Sequence, residues 1–323
     1  MGKSREKWRI SVLVSEAVLG LSMKILLLGK NGQVGWELQR ALQPLGQVFA
    51  LDRTQNEDGL SGDLADFDAI THAIHVINPD VVVNAAAYTA VDKAESDQST
   101  ADIINHRAVK HLAEQCKKQN ILLLHYSTDY VFSGEGQEPW SEDDQTDPVN
   151  LYGQTKRLGE QAIELSGCAF INFRTCWVYG SHGHNFIKTM LKLASSREEL
   201  SVIHDQIGAP TGAALIADVT AQALRVYQLS SSQQQSLLCG HYHLAASGQC
   251  SWFDYANFVF EHAKQHGQAL AIQKVNAIGT VDYPTPAKRP LNSRLYTQKL
   301  QSKFQIHLPH WKVGVAQVLE EII

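Results

Sequence analysis

The sequence predicts an α/β protein built on a Rossmann-type, doubly wound parallel sheet, with a smaller, discontinuous C-terminal lobe. Two observations predict this fold. Short apolar runs typical of strands buried on both faces alternate with amphipathic segments of helical period, as in successive βαβ units. A glycine-rich turn directly follows the first of these runs, at the place where such sheets bind phosphate groups.

The first predicted unit, Met23 to Arg40, contains an apolar strand, this turn and the beginning of a helix. The turn carries Gly29, Gly32 and Gly35. Glycines there allow a sharp bend and a close approach to a pyrophosphate, whose charge the free amides of a helix N-terminus favour. An ordinary loop with three glycines would show the same pattern, so the turn alone does not establish a nucleotide-binding site.

Further apolar runs predict the remaining strands, and helical patterns lie between them. The predicted strands are 47–51, 80–84, 121–127 and 169–174, and the predicted helices are 66–77, 100–119 and 152–165. Beyond Gly180 the segments become shorter, so we expect a lobe some of whose elements return to the main sheet. The serine- and glutamine-rich run 230–236 is predicted to be a surface loop.

Composition and charge narrow the class of protein. A net charge of −5 without a basic run argues against a nucleic-acid surface, and no segment has the length of a membrane span. Five scattered cysteines without CxxC spacing indicate free thiols in a reducing compartment. Residues 1–22 loosely imitate a signal peptide, but Glu16 interrupts their apolar part. We expect an N-terminal extension of unclear role, with weak targeting as the alternative.

The second informative cluster is Tyr152 to Lys156, at the predicted start of a helix. Tyr152 and Lys156 are four residues apart and therefore lie on one helical face. A phenol has a pKa of about 10, and a nearby ammonium lowers it toward the range in which general acids work. The same lysine could hydrogen-bond a ribose hydroxyl and hold a nicotinamide nearby. A surface Tyr and Lys on an amphipathic helix would show the same spacing.

The order of the motifs favours the catalytic interpretation. Ser127 and Thr128 close a predicted strand ahead of Tyr152, and the carboxyl ends of such strands converge on one ligand-binding crevice. A hydroxyl there could polarise a substrate carbonyl, although a turn cap is the alternative for Thr128. We therefore expect Thr128, Tyr152 and Lys156 to act together in catalysis.

Seven motifs resemble the extended short-chain dehydrogenase/reductase superfamily and, within it, the dTDP-4-dehydrorhamnose reductase family. In chain order they are GKNGQVG, NAAAYTAVDKAE, HYSTDYVFSG, LYGQTKRLGE, FRTCWVYG, DQIGAPTG and YPTPAKRPLNSRL. The resemblance implies a cytoplasmic enzyme that reduces the 4-keto group of dTDP-4-dehydro-6-deoxy-L-mannose to dTDP-L-rhamnose for surface polysaccharides such as O-antigen. It also implies a dinucleotide-binding domain over 23–180 and a mainly sugar-nucleotide-binding lobe over 181–323.

The resemblance also assigns roles by position. Tyr152 would donate the proton, Lys156 would orient it and the cofactor ribose, and Thr128 would hold the reacting oxygen. The residues implied at the cofactor are Gly29, Asn31, Gly32, Gln33, Val34, Gly35, Asp52, Arg53, Asp63, Leu64, Ala87, Tyr88, Thr89, Tyr126, Tyr152 and Lys156. Those implied at the sugar nucleotide are Thr128, Asp129, Trp177 and Arg289. Arg289 is a candidate diphosphate partner because guanidinium matches phosphate oxygens, with a solvated loop charge as the alternative.

The expected cofactor is NADPH, with NADH also accepted. Asp52 lies 20 residues after Gly32, where a carboxylate accepts hydrogen bonds from an adenosine 2′-hydroxyl and favours NADH. Arg53 follows directly and could instead contact a 2′-phosphate. The family that the sequence resembles is usually described with NADPH and often accepts both.

Three other functions are alternatives to this interpretation. Related 4,6-dehydratases carry Thr-Asp-Glu where this chain has Thr128-Asp129-Tyr130, so the missing glutamate argues against elimination of water. A reductase of another keto-sugar nucleotide and a non-catalytic, dinucleotide-binding regulatory subunit remain alternatives. The intact catalytic set argues against the regulatory subunit.

No metal site is predicted. The pairs His182/His184 and His241/His243 are interpreted as structural or surface histidines because no third ligand is apparent. Relatives bind Mg²⁺ through glutamates at a dimer interface, and the acidic candidates here are Glu37, Glu320 and Glu321. Ala214 stands where another glutamate would be expected, which puts a bridging metal in doubt. A homodimer remains open.

Overall fold

The computed structural model of the protein describes residues 23–323. Its strands are β1 (Met23–Leu28), β2 (Gly46–Leu51), β3 (Val81–Asn84), β4 (Leu122–Thr128), β5 (Phe170–Thr175), β6 (Val178–Tyr179), β7 (Glu199–Ile203), β8 (Ile207–Gly208), β9 (Thr211–Gly212), β10 (Gly240–His243), β11 (Cys250–Ser251) and β12 (Lys274–Ile278). Its α-helices are α1 (Gln33–Ala41), α2 (Phe67–Ile77), α3 (Val91–Ala94), α4 (Gln98–Asp102), α5 (Ala108–Gln119), α6 (Leu151–Ser166), α7 (Phe186–Ala194), α8 (Ala213–Leu229), α9 (Ser232–Leu238), α10 (Trp252–Gln265), α11 (Gln298–Phe304) and α12 (Trp311–Ile322).

Six strands form one parallel sheet in the order β10-β5-β4-β3-β1-β2. The strand order reverses between β1 and β3, which makes the carboxyl ends of these two strands the switch point at which such sheets bind ligands. The predicted fold class, a doubly wound α/β protein, is confirmed. Strands β6, β7, β8, β9, β11 and β12 form three separate pairs outside this sheet.

Helices cover both faces of the sheet, and successive residues of each strand point to opposite faces. Leu27, Val83 and Phe173 belong to the core against α1 and α8. Leu26 and Val82 belong to the opposite core, with residues of α2 and α5. A third core joins α7, α10 and α12, outside the main sheet. The continuous apolar runs of the sequence are thus explained by burial on both faces.

Elements from beyond Gly180 are shared between the sheet and this third core. The segment Gly240–His243 forms the edge strand beside β5, and α8 packs against α1. The expectation about residues 1–22 lies outside the described residues. None of the helices within residues 23–323 is long and apolar enough to cross a membrane.

Two local predictions need correction. The run 230–236 is not a loop, since Ser232–Leu238 is helical and Ser231 caps it through a reciprocal capping box with Gln234. The helix predicted over 100–119 begins two residues earlier, at Gln98, and contains a π-helical turn over Ile103–Arg107. All five cysteines are free thiols, as predicted.

Candidate active site

The glycine turn lies at the switch point, between the ends of β1, β2 and β3. Gly29 has a φ of +85°, and a Cβ there would come within 2.6 Å of the Ala86 amide nitrogen. A Cβ on Gly35 would overlap the Gly29 carbonyl. A Cβ on Gly32 would meet only that carbonyl, at 3.5 Å, which is ordinary contact. The fold itself therefore requires glycine at 29 and 35, whereas Gly32, the N-cap residue of α1, has room for a Cβ.

Asp52, at the end of β2, is held close to this turn. Its carboxylate accepts hydrogen bonds from Thr54 Oγ1 at 2.5 Å, the Thr54 amide at 2.8 Å and Asn31 Nδ2 at 2.7 Å. Lys30 Nζ lies 3.4 Å away. These donors, Thr54 foremost, lower the pKa of Asp52 to about 2 and keep it anionic. Arg53, the next residue, is exposed.

The other residues expected at the cofactor lie around the same edge. The Gly62 amide donates to the Asp52 carbonyl at 2.7 Å, which brings Asp63 and Leu64 beside β2. The segment Ala87–Thr89 follows β3. Its Tyr88 backbone exchanges two hydrogen bonds with the side chain of Asn105, at 2.9 and 3.0 Å.

Helix α6 begins under the carboxyl end of β4. The Asn150 side chain caps it by accepting from the Gly153 amide at 2.8 Å, and Tyr152 is its second residue. The Tyr152 ring packs edge-on against Tyr130, with ring centroids 5.7 Å apart. Burial raises the pKa of Tyr152 above its ordinary value of 10, and the hydroxyl of Thr128 opposes this shift. The expectation that Lys156 lowers this pKa is therefore wrong for this structure.

Lys156 is buried and directed at β4. Its Nζ donates to the Tyr126 carbonyl oxygen at 2.6 Å and lies 3.3 Å from His125 Nε2. Burial lowers the pKa of Lys156 to about 8, and Glu160 opposes the shift. Tyr126 thus contributes its backbone here, while its side chain packs on Phe173 and its hydroxyl pairs with Thr220 at 2.8 Å.

Asp129 is almost wholly buried beside Thr128. The Thr128 hydroxyl donates to its Oδ1 at 3.1 Å, and its Oδ2 has no hydrogen-bond partner within residues 23–323. Burial raises the pKa of Asp129 to about 7, and the neighbouring Ser293 and Thr128 oppose this shift. Burial therefore favours the protonated form of this carboxyl group over a wider pH range than for an exposed aspartate.

Trp177 and Arg289 both lie outside the strands of the main sheet. Trp177 stacks on Trp252 at 3.7 Å and has a φ of +47°, an unusual conformation for a bulky residue. Arg289 pairs with Asp92 at 2.6 Å and lies 3.4 Å from the Tyr130 hydroxyl. The structure therefore brings Arg289 to the ring that packs on Tyr152.

The sequence of the chain matches a family model described as RmlD substrate binding domain over residues 23–323. The chain belongs to this family. It is 50% identical to an Escherichia coli protein named dTDP-4-dehydrorhamnose reductase, over 93% of this chain and 98% of that protein. The resemblance predicted from the sequence is confirmed.

Solved structures agree with this assignment. A dTDP-4-dehydrorhamnose reductase from Clostridium acetobutylicum is 33% identical, with a TM-score of 0.82 over 93% of this chain and 99% of that one. A Bacillus anthracis protein of the same name, solved in complex with NADP, is 31% identical, with a TM-score of 0.81 over 93% of this chain and all of that one.

A segment after β6 lies over the glycine turn. The Gln33 side chain accepts from Asn185 Nδ2 at 3.0 Å, and His182 Nε2 lies 3.1 Å from the Asn31 carbonyl oxygen. The His182 ring also stacks on Trp36, with centroids 4.3 Å apart. His182 thus has a packing role here, and His184 beside it is exposed.

His241 and His243 are also held by protein groups. His241 Nε2 lies 2.9 Å from Glu164 and its Nδ1 lies 2.8 Å from Asn172, while His243 Nδ1 pairs with the Trp140 carbonyl at 2.9 Å.

The acidic residues considered for Mg²⁺ do not fit a metal site within one chain. Glu37 and Glu321 line a cavity of about 370 Å³ together with Ala214, which offers no ligand. Arg40 already supplies a cation there, 3.3 Å from Glu37. Within residues 23–323, neither Glu37 nor Glu321 belongs to a group of three ligating side chains. Glu320 points elsewhere, toward His262.

Three polar residues that support the site were not predicted from the sequence. Asn84 Nδ2 lies 3.2 Å from His125 Nδ1, and His125 in turn contacts Lys156. Asn105 lies in the π-helical turn and donates to Thr155 Oγ1 of α6 at 3.2 Å. A detectable signal existed for Asn84 and His125, because each is a polar residue at or near the end of an apolar strand.

Proposed function

We propose that the protein reduces the 4-keto group of dTDP-4-dehydro-6-deoxy-L-mannose (dTDP-4-dehydrorhamnose) to dTDP-L-rhamnose, with NADPH as reductant. The observation that carries this proposal is the meeting of Thr128, Tyr152 and Lys156 at the carboxyl end of β4, beside the glycine turn. The substrate is supported by family membership and by the name of the Escherichia coli relative. The product would serve surface polysaccharide synthesis, including O-antigen.

The residues of the chain would supply the proton and hold the reacting oxygen. When bound, NADPH supplies the hydride that the carbonyl carbon receives. The raised pKa of Tyr152 keeps its hydroxyl protonated at neutral pH, so that it can donate to the sugar O4 as negative charge develops there. The Thr128 hydroxyl would hydrogen-bond the same oxygen. Lys156 is held by the Tyr126 carbonyl, and its remaining hydrogens would bind the ribose.

The glycine turn fits the pyrophosphate of a dinucleotide. The open side of Gly32 and the free amides at the N-terminus of α1 would receive the phosphates. Asp52 would face the adenosine ribose, and Lys30 and Arg53 would offer cations to a 2′-phosphate. We therefore propose that NADPH is used first and NADH is also accepted. A preference for NADH of about a hundredfold in kcat/KM would contradict this order.

The decisive experiment follows NADPH absorbance with dTDP-4-dehydrorhamnose and determines the C4 configuration of the product by NMR. We expect stoichiometric oxidation and a dTDP-L-rhamnose product. The same assay with UDP- and GDP-linked keto sugars tests the second candidate, a reductase of another keto-sugar nucleotide. Tight NADPH binding without oxidation by any sugar nucleotide would instead support a regulatory subunit.

We also propose a cytoplasmic location, because NADPH and nucleotide sugars are formed there and the five free thiols suit a reducing compartment. Within the chain, we propose that 23–180 mainly binds the dinucleotide and that 181–323 mainly binds the sugar nucleotide. A homodimer stays a prediction, which light scattering on the purified protein tests. We assign no step of the reaction to Mg²⁺, since the acidic residues do not converge.

A further inference from the structure

Helix α10 carries His262 in its last turn and His266 directly after its end, and both histidines meet a carboxylate from the last helix. His262 and His266 are four residues apart and lie on one face, with ring centroids 4.2 Å apart. Glu320 of α12 approaches from the neighbouring helix, with Oε1 3.9 Å from His262 Nε2. One ligand atom from each of the three side chains lies within 4.8 Å of the others.

The hydrogen bonds leave the ligand atoms of both rings free. His266 Nδ1 lies 2.9 Å from the His262 carbonyl oxygen, which can only accept, so Nδ1 carries the proton and Nε2 of the neutral ring keeps its lone pair. Metal-bound histidines commonly donate their other nitrogen to a backbone carbonyl in this way. His262 Nε2 is buried without a hydrogen-bond partner within residues 23–323. An unsatisfied buried nitrogen is costly, and a bound cation would satisfy it.

The Glu320 contact does not satisfy this nitrogen, because 3.9 Å is too long for a hydrogen bond. Glu320 and His266 are exposed, so an ion can reach them from solvent. We propose that His262, His266 and Glu320 bind one transition-metal ion of the Zn²⁺ class and thereby fasten α12 to α10. Two imidazoles and a carboxylate with an open fourth position suit Zn²⁺, whereas Mg²⁺ prefers oxygen ligands throughout.

A second cluster of possible ligands, in the described part of the chain, differs because its carboxylates are already paired with cationic side chains. Glu160 and Glu164 meet His241, but Arg174 makes two hydrogen bonds to Glu160 at 2.8 and 2.9 Å. Glu164 Oε1 lies 2.8 Å from the guanidinium of Arg157 and 2.9 Å from His241 Nε2. Protein cations already neutralise that cluster, so we assign no metal to it. The cluster on α10 and α12 has no such cation among these contacts.

The test uses the full chain, freed of metal with a chelator and carrying no affinity tag. Titration calorimetry with ZnCl₂ should show one ion per chain at micromolar concentration, unaffected by excess Mg²⁺. The same site filled with Co²⁺ should show the visible d–d absorption of tetrahedral coordination. At a free Zn²⁺ concentration well above Kd, the melting temperature should rise by about 4 °C, since the ion binds only the folded chain.

Two exposed ligands allow substitutions with little risk to folding. His266→Gln and Glu320→Gln should each weaken Zn²⁺ binding at least about tenfold, and His262→Gln should do the same. His307→Gln is the matched control, because His307 is an exposed histidine outside the cluster and should leave binding unchanged. The proposal is overturned if the wild-type chain binds no Zn²⁺, or if either His266→Gln or Glu320→Gln binds Zn²⁺ like the wild type.

Discussion

Tyr152 combines a hydroxyl at the proposed reaction site with a ring that is held by packing against Tyr130. Tyr152→Phe removes the hydroxyl and keeps this packing. If Tyr152 donates the proton, kcat should fall by about 10²–10⁴-fold, while the Kd for NADPH measured by fluorescence titration should stay nearly unchanged. Wild-type turnover in the variant would remove Tyr152 from the mechanism. Tyr283→Phe, at an exposed tyrosine, is the control and should leave kcat unaltered.

Asp129 makes the stability of the protein depend on pH. Its pKa is about 7 in the folded chain against an ordinary value of 3.8, so between these values the folded state binds more protons than the unfolded state. The free energy of unfolding therefore falls as pH rises through this range, and the loss is complete above about pH 7. Asp129→Asn removes the buried charge. The free energy of unfolding of the variant, relative to that of the wild type, should therefore be higher at pH 8 than at pH 5.

Each pKa unit corresponds to about 1.4 kcal/mol, so the gain of Asp129→Asn over the wild type should grow by a few kcal/mol between pH 5 and pH 8. Urea unfolding of both proteins at pH 5 and pH 8 measures it. Equal differences between variant and wild type at the two pH values would show that Asp129 does not titrate in this range.

At the level of residues, the sequence predicted which side chains lie together but not the contacts that hold them. Thr128, Tyr152 and Lys156 were identified by side-chain type and order along the chain, and the structure places all three at the end of β4 and the start of α6. The partners of Lys156 were not predictable, since the Tyr126 carbonyl leaves no mark in the sequence. The pKa of Tyr152 is likewise raised by burial and by the neighbouring Asp129 and Tyr130, whose approach follows from tertiary packing.

At the level of elements, the glycine turn separates folding from cofactor binding. Gly32→Ala places a methyl group in open space, so the melting temperature should stay close to that of the wild type. The methyl group would nevertheless occupy the side that the pyrophosphate approaches, and the Kd for NADPH should rise at least about tenfold. Gly35→Ala is the matched comparison, because its Cβ would overlap the Gly29 carbonyl and should lower the melting temperature. Unchanged NADPH affinity in Gly32→Ala would contradict the proposed phosphate site.

The predicted elements differ from the observed ones where periodicity carries no signal. Most strands and helices of the main sheet were predicted to within about two residues, because apolar runs and capping residues mark them. The π-helical turn that presents Asn105 has no sequence period of its own. Helix α9 was missed because serine and glutamine are frequent in loops, although Ser231 and Gln234 also form a capping box.

At the level of the whole molecule, pairings between distant segments could not be predicted. The edge strand β10 pairs with β5 although residues 176–239 lie between them, and its sequence, GHYH, resembles no buried strand. Its position depends instead on tertiary contacts, such as the His241 ring nitrogen Nδ1 lying 2.8 Å from Asn172 Nδ2 of β5. The same reason explains why the segment over the glycine turn was not foreseen.

That segment ties the later part of the chain to the proposed cofactor site. His182 contacts the Asn31 carbonyl and stacks on Trp36, and the Asn31 side chain in turn donates to Asp52. His182→Ala should leave the fold intact, because His182 belongs to none of the hydrophobic cores. The substitution should loosen the glycine turn at Asn31, and with it the hydrogen bond from Asn31 to Asp52, and so weaken NADPH binding several-fold.

The comparison is His184→Ala, an exposed histidine two residues away that should change neither property. Titration of both variants with NADPH, together with their melting temperatures, separates the two effects. A loss of melting temperature without a change in NADPH affinity would mean that His182 serves packing alone. A loss of affinity at constant melting temperature would mean that residues beyond Gly180 help to shape the dinucleotide site, although the sequence assigns that site to the first half of the chain.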